Sequence, residues 1–125
     1  TTFKYSKMKV AIKLKAGESL SVTVKVQNTG NRAGEEVVQL YVSNQSASVP
    51  VPIRSLRGFK RIHLNSGESK TVKFDLTPDA FSVIDENYKK IIDPGQFLIT
   101  IGGKQAVKNN TENEPGILKK TITVL

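Results

Sequence analysis

The chain has 125 residues, of which 38% are hydrophobic and 24% are charged, and its formal net charge is +8. A chain of this size is expected to form one domain with a sizeable core, and this composition excludes a largely disordered protein. It contains no cysteine and a single histidine, which excludes disulfides and the usual Cys/His zinc sites. No apolar run approaches the roughly 18 residues that a membrane-spanning helix needs, so no membrane partner is expected.

Two stretches near the start of the chain alternate between apolar and polar side chains. One runs from Met8 to Leu14 and includes Ile12, and the other runs from Leu20 to Val26. An alternation of period two is typical of a strand that has one face in the core and the other in water. We therefore predict two half-buried strands, each with lysine on its wet face.

Residues 28–42 hold the clearest turn and the most apolar strand of the sequence. The turn contains Asn28 and Gly30, and these residue types tolerate φ > 0 or pair backbone groups with their own side chains. The run 37–42 is apolar on both faces, which is not expected of an edge strand. We predict that the chain crosses from one strand to another at the turn and then forms a central strand.

The second half of the chain predicts further short strands separated by turns. The segments that carry the pattern are 57–64, 71–76, 83–84 with 90–92 as the arms of a hairpin, 97–101 and 121–125. Gly58 indicates a bulge or a close approach of another group, and Thr77 followed by Pro78 is typical of a single helical turn. About seven or eight short strands with regular turn signals predict an antiparallel β-sandwich.

One internal repeat supports this fold. Residues 17–26 and 67–76 both begin with Gly-Glu-Ser and continue as an alternating strand. Two copies are too few for a solenoid. The repeat indicates two equivalent strands of a sandwich that are entered from similar turns.

Residues that could carry catalysis are sparse. On a period-two strand His63 shares a face with Arg57 and Arg61, and a cationic neighbourhood suits a general base poorly. Hydrolysis of a glycosidic bond needs two carboxylates that face each other, whereas most acidic residues lie in predicted turns and Glu35 and Glu36 are adjacent, so they point to opposite faces. We expect no catalytic residue, no metal site and no cofactor in this chain.

The densest basic cluster surrounds Phe59 and consists of Arg54, Arg57, Lys60 and Arg61. Nucleic-acid binding would also need stacking aromatics on the same face, but Phe74, Phe97 and Tyr41 are expected in the core. We interpret the cluster as a charged rim around an intramolecular contact, with no nucleic-acid partner. A polysaccharide- or polyanion-binding module that uses the basic faces is the alternative, although only Tyr5 and Tyr88 are expected at the surface as aromatic platforms.

Several longer motifs resemble one known module. They are 1–6 (Thr-Thr-Phe-Lys-Tyr-Ser), 26–42, 49–52 (Val-Pro-Val-Pro), 56–61 (Leu-Arg-Gly-Phe-Lys-Arg), 64–69, 94–97 and 101–103. In this order they resemble the fibronectin type III-like domain that ends many family-3 glycoside hydrolases, such as β-glucosidases and β-xylosidases. The resemblance covers nearly the whole chain apart from 104–117. It implies an immunoglobulin- or fibronectin III-like β-sandwich, and a single domain excised from a longer multidomain glycosidase.

The resemblance implies a non-catalytic accessory domain. In that family the aspartate nucleophile lies in an N-terminal barrel and the acid/base commonly lies in a second α/β domain, so no catalytic residue can be transferred to this chain. The implied partners are the catalytic domains of the same polypeptide, and carbohydrate is the alternative partner. The implied location is periplasmic or secreted.

The loop 48–59 is the candidate contact with those catalytic domains. Its two prolines lower the entropy cost of ordering it, and Ile53 and Leu56 offer apolar anchors beside arginines. The candidate interdomain contact residues are Val49, Pro50, Pro52, Ile53, Arg54, Leu56, Arg57 and Phe59. Replacing Ile53 and Leu56 with serine in the full enzyme is expected to lower its melting temperature.

Overall fold

The computed structural model describes residues 2–15, 17–44, 54–77, 82–84, 90–92, 95–104, 113 and 116–125. Its strands are β1 (Phe3–Val10), β2 (Lys13–Leu14), β3 (Leu20–Asn28), β4 (Gly34–Asn44), β5 (Arg54–Leu64), β6 (Ser69–Leu76), β7 (Ser82–Ile84), β8 (Lys90–Ile92), β9 (Gly95–Gly102) and β10 (Ile117–Val124). One sheet has the order β1-β3-β6, another β2-β10-β9-β4-β5, and β7 pairs with β8 as the predicted hairpin. The predicted β-sandwich is confirmed. The helical turn predicted after Thr77 lies outside the described residues.

The core lies between the two larger sheets because each alternating strand turns one apolar face towards the other sheet. Apolar burial of this kind is the main driving force of folding. Val22, Val24 and Val26 of β3 are fully buried, and Val38 and Leu40 of β4 face them from the other sheet. The prediction for the stretch from Leu20 to Val26 is therefore confirmed.

β4 is the interior strand that its apolar run predicted. It pairs with β5 on one side and with β9 on the other, both antiparallel. The crossing turn is also confirmed, because β3 belongs to the three-stranded sheet and β4 to the five-stranded sheet. Placing Tyr41 in the core was wrong: Leu40 and Val42 face the core, and the period of two therefore places Tyr41, half-buried, on the outer side.

The predicted continuous strand from Met8 to Leu14 was wrong. β1 leaves its sheet after Val10, and β2 pairs in parallel with β10 in the other sheet. Ile12 lies at this crossing and is 57% exposed instead of packing in the core. Its carbonyl accepts a hydrogen bond from the N–H of Thr123 at 2.8 Å, so the backbone rather than the side chain fixes the crossing.

The start of β1 also corrects the expectation that Tyr5 lies at the surface. Tyr5 pairs with Val26 and is only 7% exposed, because it takes the core-facing side of the strand. The register of β1 shifts between Ser6 and Lys9, where Lys7 adopts a φ of 52°. The irregularity places both Tyr5 and Val10 on the inner face, although they are an odd number of residues apart.

Gly58 in β5 confirms the predicted bulge and close approach. Leu40 pairs with Gly58 and Tyr41 with Leu56, so Arg57 is the extra residue of a bulge. A Cβ on Gly58 would lie 2.8 Å from Cδ1 of Phe74, closer than any side chain tolerates. The bulge also places Leu56 opposite Tyr41, on the face of β5 that carries Phe59 and Arg61.

The repeated Gly-Glu-Ser segments form two turns with the same hydrogen bonds. The N–H of Lys15 donates to Oε1 of Glu18 at 2.9 Å, and the N–H of Glu18 donates back to the Lys15 carbonyl at 3.1 Å. In the second turn Asn65 and Glu68 make the same two bonds at 3.0 and 2.9 Å. The glycine before each glutamate has a positive φ, 91° and 78°. The predicted similarity of the two turns is thus confirmed, and the strands that follow, β3 and β6, pair as antiparallel neighbours in one sheet.

Asn28 closes the crossing turn with a fully buried side chain. Its Nδ2 donates to the carbonyls of Arg32 at 2.8 Å and Leu64 at 3.0 Å, and its Oδ1 accepts from the N–H of Gly30 at 2.9 Å. Its backbone N–H donates to the Glu68 carbonyl at 2.9 Å. One residue thus joins the end of β3, the turn, the end of β5 and the turn before β6.

We predict that Asn28→Ala lowers the free energy of unfolding by about 2–4 kcal/mol, because it leaves buried backbone groups without partners. Asn31→Ala is the matched control, since Asn31 lies in the same turn but is exposed, and it should change stability by less than about 0.5 kcal/mol. Urea denaturation of the chain measures both values. Equal effects of the two substitutions would contradict the role of the buried amide.

Candidate functional site

A cleft of about 210 Å³ lies where β1, β4, β9 and β10 meet at one end of the sandwich. Its walls are formed by Phe3, Tyr5, Glu36, Gly103, Lys104 and Gly116. The Tyr5 hydroxyl donates to Oε2 of Glu36 at 3.1 Å. A Cβ on Gly103 would lie 2.6 Å from Oε2 of Glu36, so a side chain at this position would require the Glu36 carboxylate to shift.

The ionisable groups that line this cleft are one carboxylate, one phenol and the ammonium group of Lys104. Burial raises the pKa of Tyr5 well above its usual value, and the negative charge of Glu36 and the hydrogen bond to Glu36 raise it further. The predicted separation of Glu35 and Glu36 is confirmed, since Glu35 is exposed and pairs with His63 on the outer face. Within the described ranges, no three His, Cys, Asp or Glu side chains come together as a metal site.

Sequence reasoning missed the Tyr5–Glu36 pair because it started the first strand at Met8. Phe3 and Tyr5 form a short alternation of their own, which is out of phase with the one from Met8 because the register of β1 shifts between them. His63 is exposed at the strand surface, as predicted.

The outer face of the three-stranded sheet is polar throughout its described part. Its outward residues are Lys4, Ser6, Lys9, Ser21, Thr23, Lys25, Gln27, Ser69, Thr71, Lys73 and Asp75, as the pairing of β1, β3 and β6 places them. Ser21 donates to Asp75 at 2.8 Å and Lys73 lies 3.7 Å from the same carboxylate. This face carries four lysines against one aspartate and has no aromatic residue, so it is typical of a solvated or polyanion-facing surface.

The outer face of the five-stranded sheet is different, because it becomes more exposed from β10 towards β5. Leu98 and Ile117 are buried there outside the main core, and Tyr41 is half-buried. On β5, Leu56 is 49% exposed and Phe59 is 68% exposed. Large apolar side chains that stay exposed on one face indicate an interaction surface.

The predicted basic cluster is divided between two sides of β5. Arg61 faces outwards and its guanidinium lies 3.9 Å from the Glu35 carboxylate. The Lys60 ammonium lies 5.4 Å from the centre of the Phe74 ring and donates to the Lys73 carbonyl, while Lys70 donates to the His63 carbonyl at 3.2 Å. Lys60 and Lys70 therefore bridge the neighbouring edges of the two sheets, which protects these edge strands from pairing with other chains.

The predicted interdomain residues are described only in part. Leu56, Arg57 and Phe59 are exposed on β5. Arg54 begins β5. The residues of this prediction that lie outside the described part of the chain are Val49, Pro50, Pro52 and Ile53.

Comparison with known proteins gives a consistent result. The model of the fibronectin type III-like domain matches residues 36–105, more than half of the chain. A β-xylosidase from Formosa agariphila is 44% identical over 103 residues, which cover 82% of this chain but only 14% of that protein. A periplasmic β-glucosidase from Salmonella typhimurium is 37% identical over 83 residues, covering 66% of this chain and 11% of that protein.

The fold comparison agrees. The crystal structure of a β-glucosidase from Listeria innocua in complex with glucose matches with a TM-score of 0.85 and 30% identity. The match covers 98% of this chain and 16% of that chain. The chain thus spans a small part of the proteins that it resembles. Among its described residues, no helix is long and apolar enough to cross a membrane.

We predict that Tyr5→Phe changes the alkaline stability of the fold. The unfolded chain ionises this phenol near its usual pKa of 10.0, whereas the folded chain keeps it protonated, so the free energy of unfolding falls above pH 10 by up to about 1.4 kcal/mol per pH unit. At pH 7 the variant should be less stable by about 1 kcal/mol, because the hydrogen bond to Glu36 is lost. Urea denaturation at pH 7 and about pH 11 should show this deficit shrinking at high pH. A stability difference between the variant and the unmodified chain that is the same at both pH values would contradict the raised pKa of Tyr5.

Proposed function

We propose that this chain, which belongs to the fibronectin type III-like domain family, is a non-catalytic accessory domain of a glycoside hydrolase. The parent activity is hydrolysis of β-glycosidic bonds, of the β-glucosidase or β-xylosidase type. The observation that carries the proposal is that the chain matches β-xylosidases and β-glucosidases over nearly its whole length but over only a small share of theirs. Its partners are then the catalytic domains of the same polypeptide.

The physical role of such a domain is to pack on the catalytic domains and stabilise their placement. A sandwich with a core between two sheets is stiff enough for this task, because its interior strands β3, β4 and β9 are each paired on both sides. The contact includes the loop 48–59 predicted from the sequence, with Pro50, Pro52 and Ile53 and with Leu56 and Phe59, whose side chains are exposed. The parent is periplasmic or secreted, in line with the periplasmic β-glucosidase among the relatives.

Two measurements test this function. The purified chain should not hydrolyse chromogenic β-glucosides or β-xylosides, because within its described part no second carboxylate faces Glu36 across the cleft. Deleting the domain from the parent protein should lower the melting temperature of the remainder by about 5 °C or more, because a stabilising interface is lost. Turnover by the chain alone, or a parent whose stability is unaffected by the deletion, would contradict the proposal.

A second candidate function is binding of a polyanion, such as an acidic polysaccharide, and the lysine-rich outer face of the three-stranded sheet favours it. The contact would be electrostatic, since the described part of this face offers no aromatic platform. Retention of the chain on heparin should disappear between low and physiological salt, as the Debye length falls from about 30 Å to about 8 Å. Replacing Lys9 and Lys73 with glutamate should abolish retention at low salt. Unchanged retention of this variant on heparin would show that the outer face of the three-stranded sheet is not the polyanion-binding surface.

A further inference from the structure

We propose that the domain docks through the outer face of β4 and β5 on a surface of its own polypeptide that is apolar at the centre and acidic at the margin. The docking face consists of Val37, Tyr41, Leu56 and Phe59 at the centre, with Arg57 and Arg61 beside them. This inference rests on the proposed function and adds the surface and the chemistry of its partner.

Strand register makes the centre of the docking face continuous. Phe59 lies opposite Gln39, and Leu56 lies opposite Tyr41 because the bulge at Arg57 shifts the register by one residue. Without that shift Arg57 would occupy the position beside Tyr41, and Leu56 would point towards the core. The bulge therefore places a second apolar side chain beside Phe59.

The exposure of this centre is unusual for the described part of the chain. Only four large apolar side chains are exposed among all the described residues. Two of them belong to this centre, Phe59 at 68% and Leu56 at 49%. The other two, Ile12 and Leu125, lie near the opposite edge of the sheet, where β2 pairs with β10. An exposed phenylalanine and leucine side by side on one face are typical of the anchors of a protein interface.

The polar groups within the docking face already have partners. The Tyr41 hydroxyl donates to Oε1 of Gln39 at 2.7 Å, and Nε2 of Gln39 donates to the Gly103 carbonyl at 3.2 Å. The main cost of burying a polar group is the loss of its hydrogen bonds to water. Because these groups already bond to each other, a partner surface could exclude water from this face at little cost.

Charge indicates the chemistry of the partner. Arg57 and Arg61 are exposed beside the apolar centre, and Glu35 is the only acidic residue of β4 or β5 on this side. Glu35 lies 3.9 Å from Arg61, so among the described residues of β4 and β5 the guanidinium of Arg57 is left for a partner carboxylate. Arginine beside an aromatic anchor is a frequent composition of interface hot spots. The opposing surface is therefore expected to be acidic around an apolar centre.

The occupant is the remaining part of the polypeptide rather than a second copy of this chain. The relatives are long enough to supply it, since this chain covers only 14% of the β-xylosidase. In a twofold symmetric dimer of this face, the arginines of the two copies would meet the same basic surface, and like charges would oppose the contact. The polar face of the other sheet offers no comparable apolar centre.

The test uses the intact parent protein with Phe59→Ser. We expect its melting temperature to fall by about 2–4 °C, because an anchor of the interface is lost. Ile12→Ser is the matched control, since it removes an apolar side chain that is also exposed, at 57%, near the opposite edge of the sheet, and it should leave the melting temperature unchanged. The isolated chain with Phe59→Ser should melt like the unmodified chain, because Phe59 is not part of the core.

A charge reversal tests the chemistry of the partner. Arg57→Glu together with Arg61→Glu should lower the melting temperature of the parent, and more so at low salt. Lys9→Glu, on the polar face, is the control and should have no such effect. A loss that is the same at low and high salt would overturn the acidic margin.

The remaining outcomes separate this inference from the proposed function. If deleting the domain destabilises the parent but Phe59→Ser does not, the docking face is wrong and the accessory function stands. If neither change destabilises the parent, both the docking face and the accessory function are wrong. If Phe59→Ser destabilises the isolated chain as much as the parent, the side chain supports the fold and the docking face is overturned.

Discussion

The side-chain amide of Asn28 holds together the segments on which the rest of the sandwich depends. It is fully buried and bonds to the crossing turn and to the last residue of β5, while its backbone bonds to the turn before β6. A buried amide with all its hydrogen bonds formed fixes the relative positions of the segments it joins, because moving any one of them leaves a polar group unpaired. The entry of the chain into β4 is thereby fixed relative to both sheets.

Once β4 is fixed, alternation decides what each side of the sandwich presents. Val38, Leu40 and Val42 fill the core, and the residues between them form the outer face beside β5. Lys60 and Lys70 bridge the neighbouring edges of β5 and β6 through two backbone carbonyls, and the outer face of β5 stays accessible. The domain thus has one polar side and one side suited to contact with another protein surface.

Alternation predicted the sandwich, β3, the interior position of β4, the hairpin arms and the equivalence of the two Gly-Glu-Ser turns. These features depend on local patterns, which a sequence displays directly. Ile12 was placed wrongly because alternation does not reveal that a strand leaves one sheet for another. Tyr5 and Tyr41 were placed wrongly for a related reason, since which face points inwards is set by the register with neighbouring strands and by bulges. The pairing of Tyr5 with Glu36 joins residues from two sheets, and no local pattern encodes such a contact.

Hydrogen exchange in the intact parent protein tests the docking of this domain most directly. β5 is an edge strand, so many of its amides exchange readily unless another surface covers them. If β5 is covered in the parent, residues 54–64 exchange more slowly there than in the isolated chain, and residues 69–76 of the polar sheet do not change. Slower exchange over residues 69–76 instead, or equal exchange of residues 54–64 in both proteins, would contradict it.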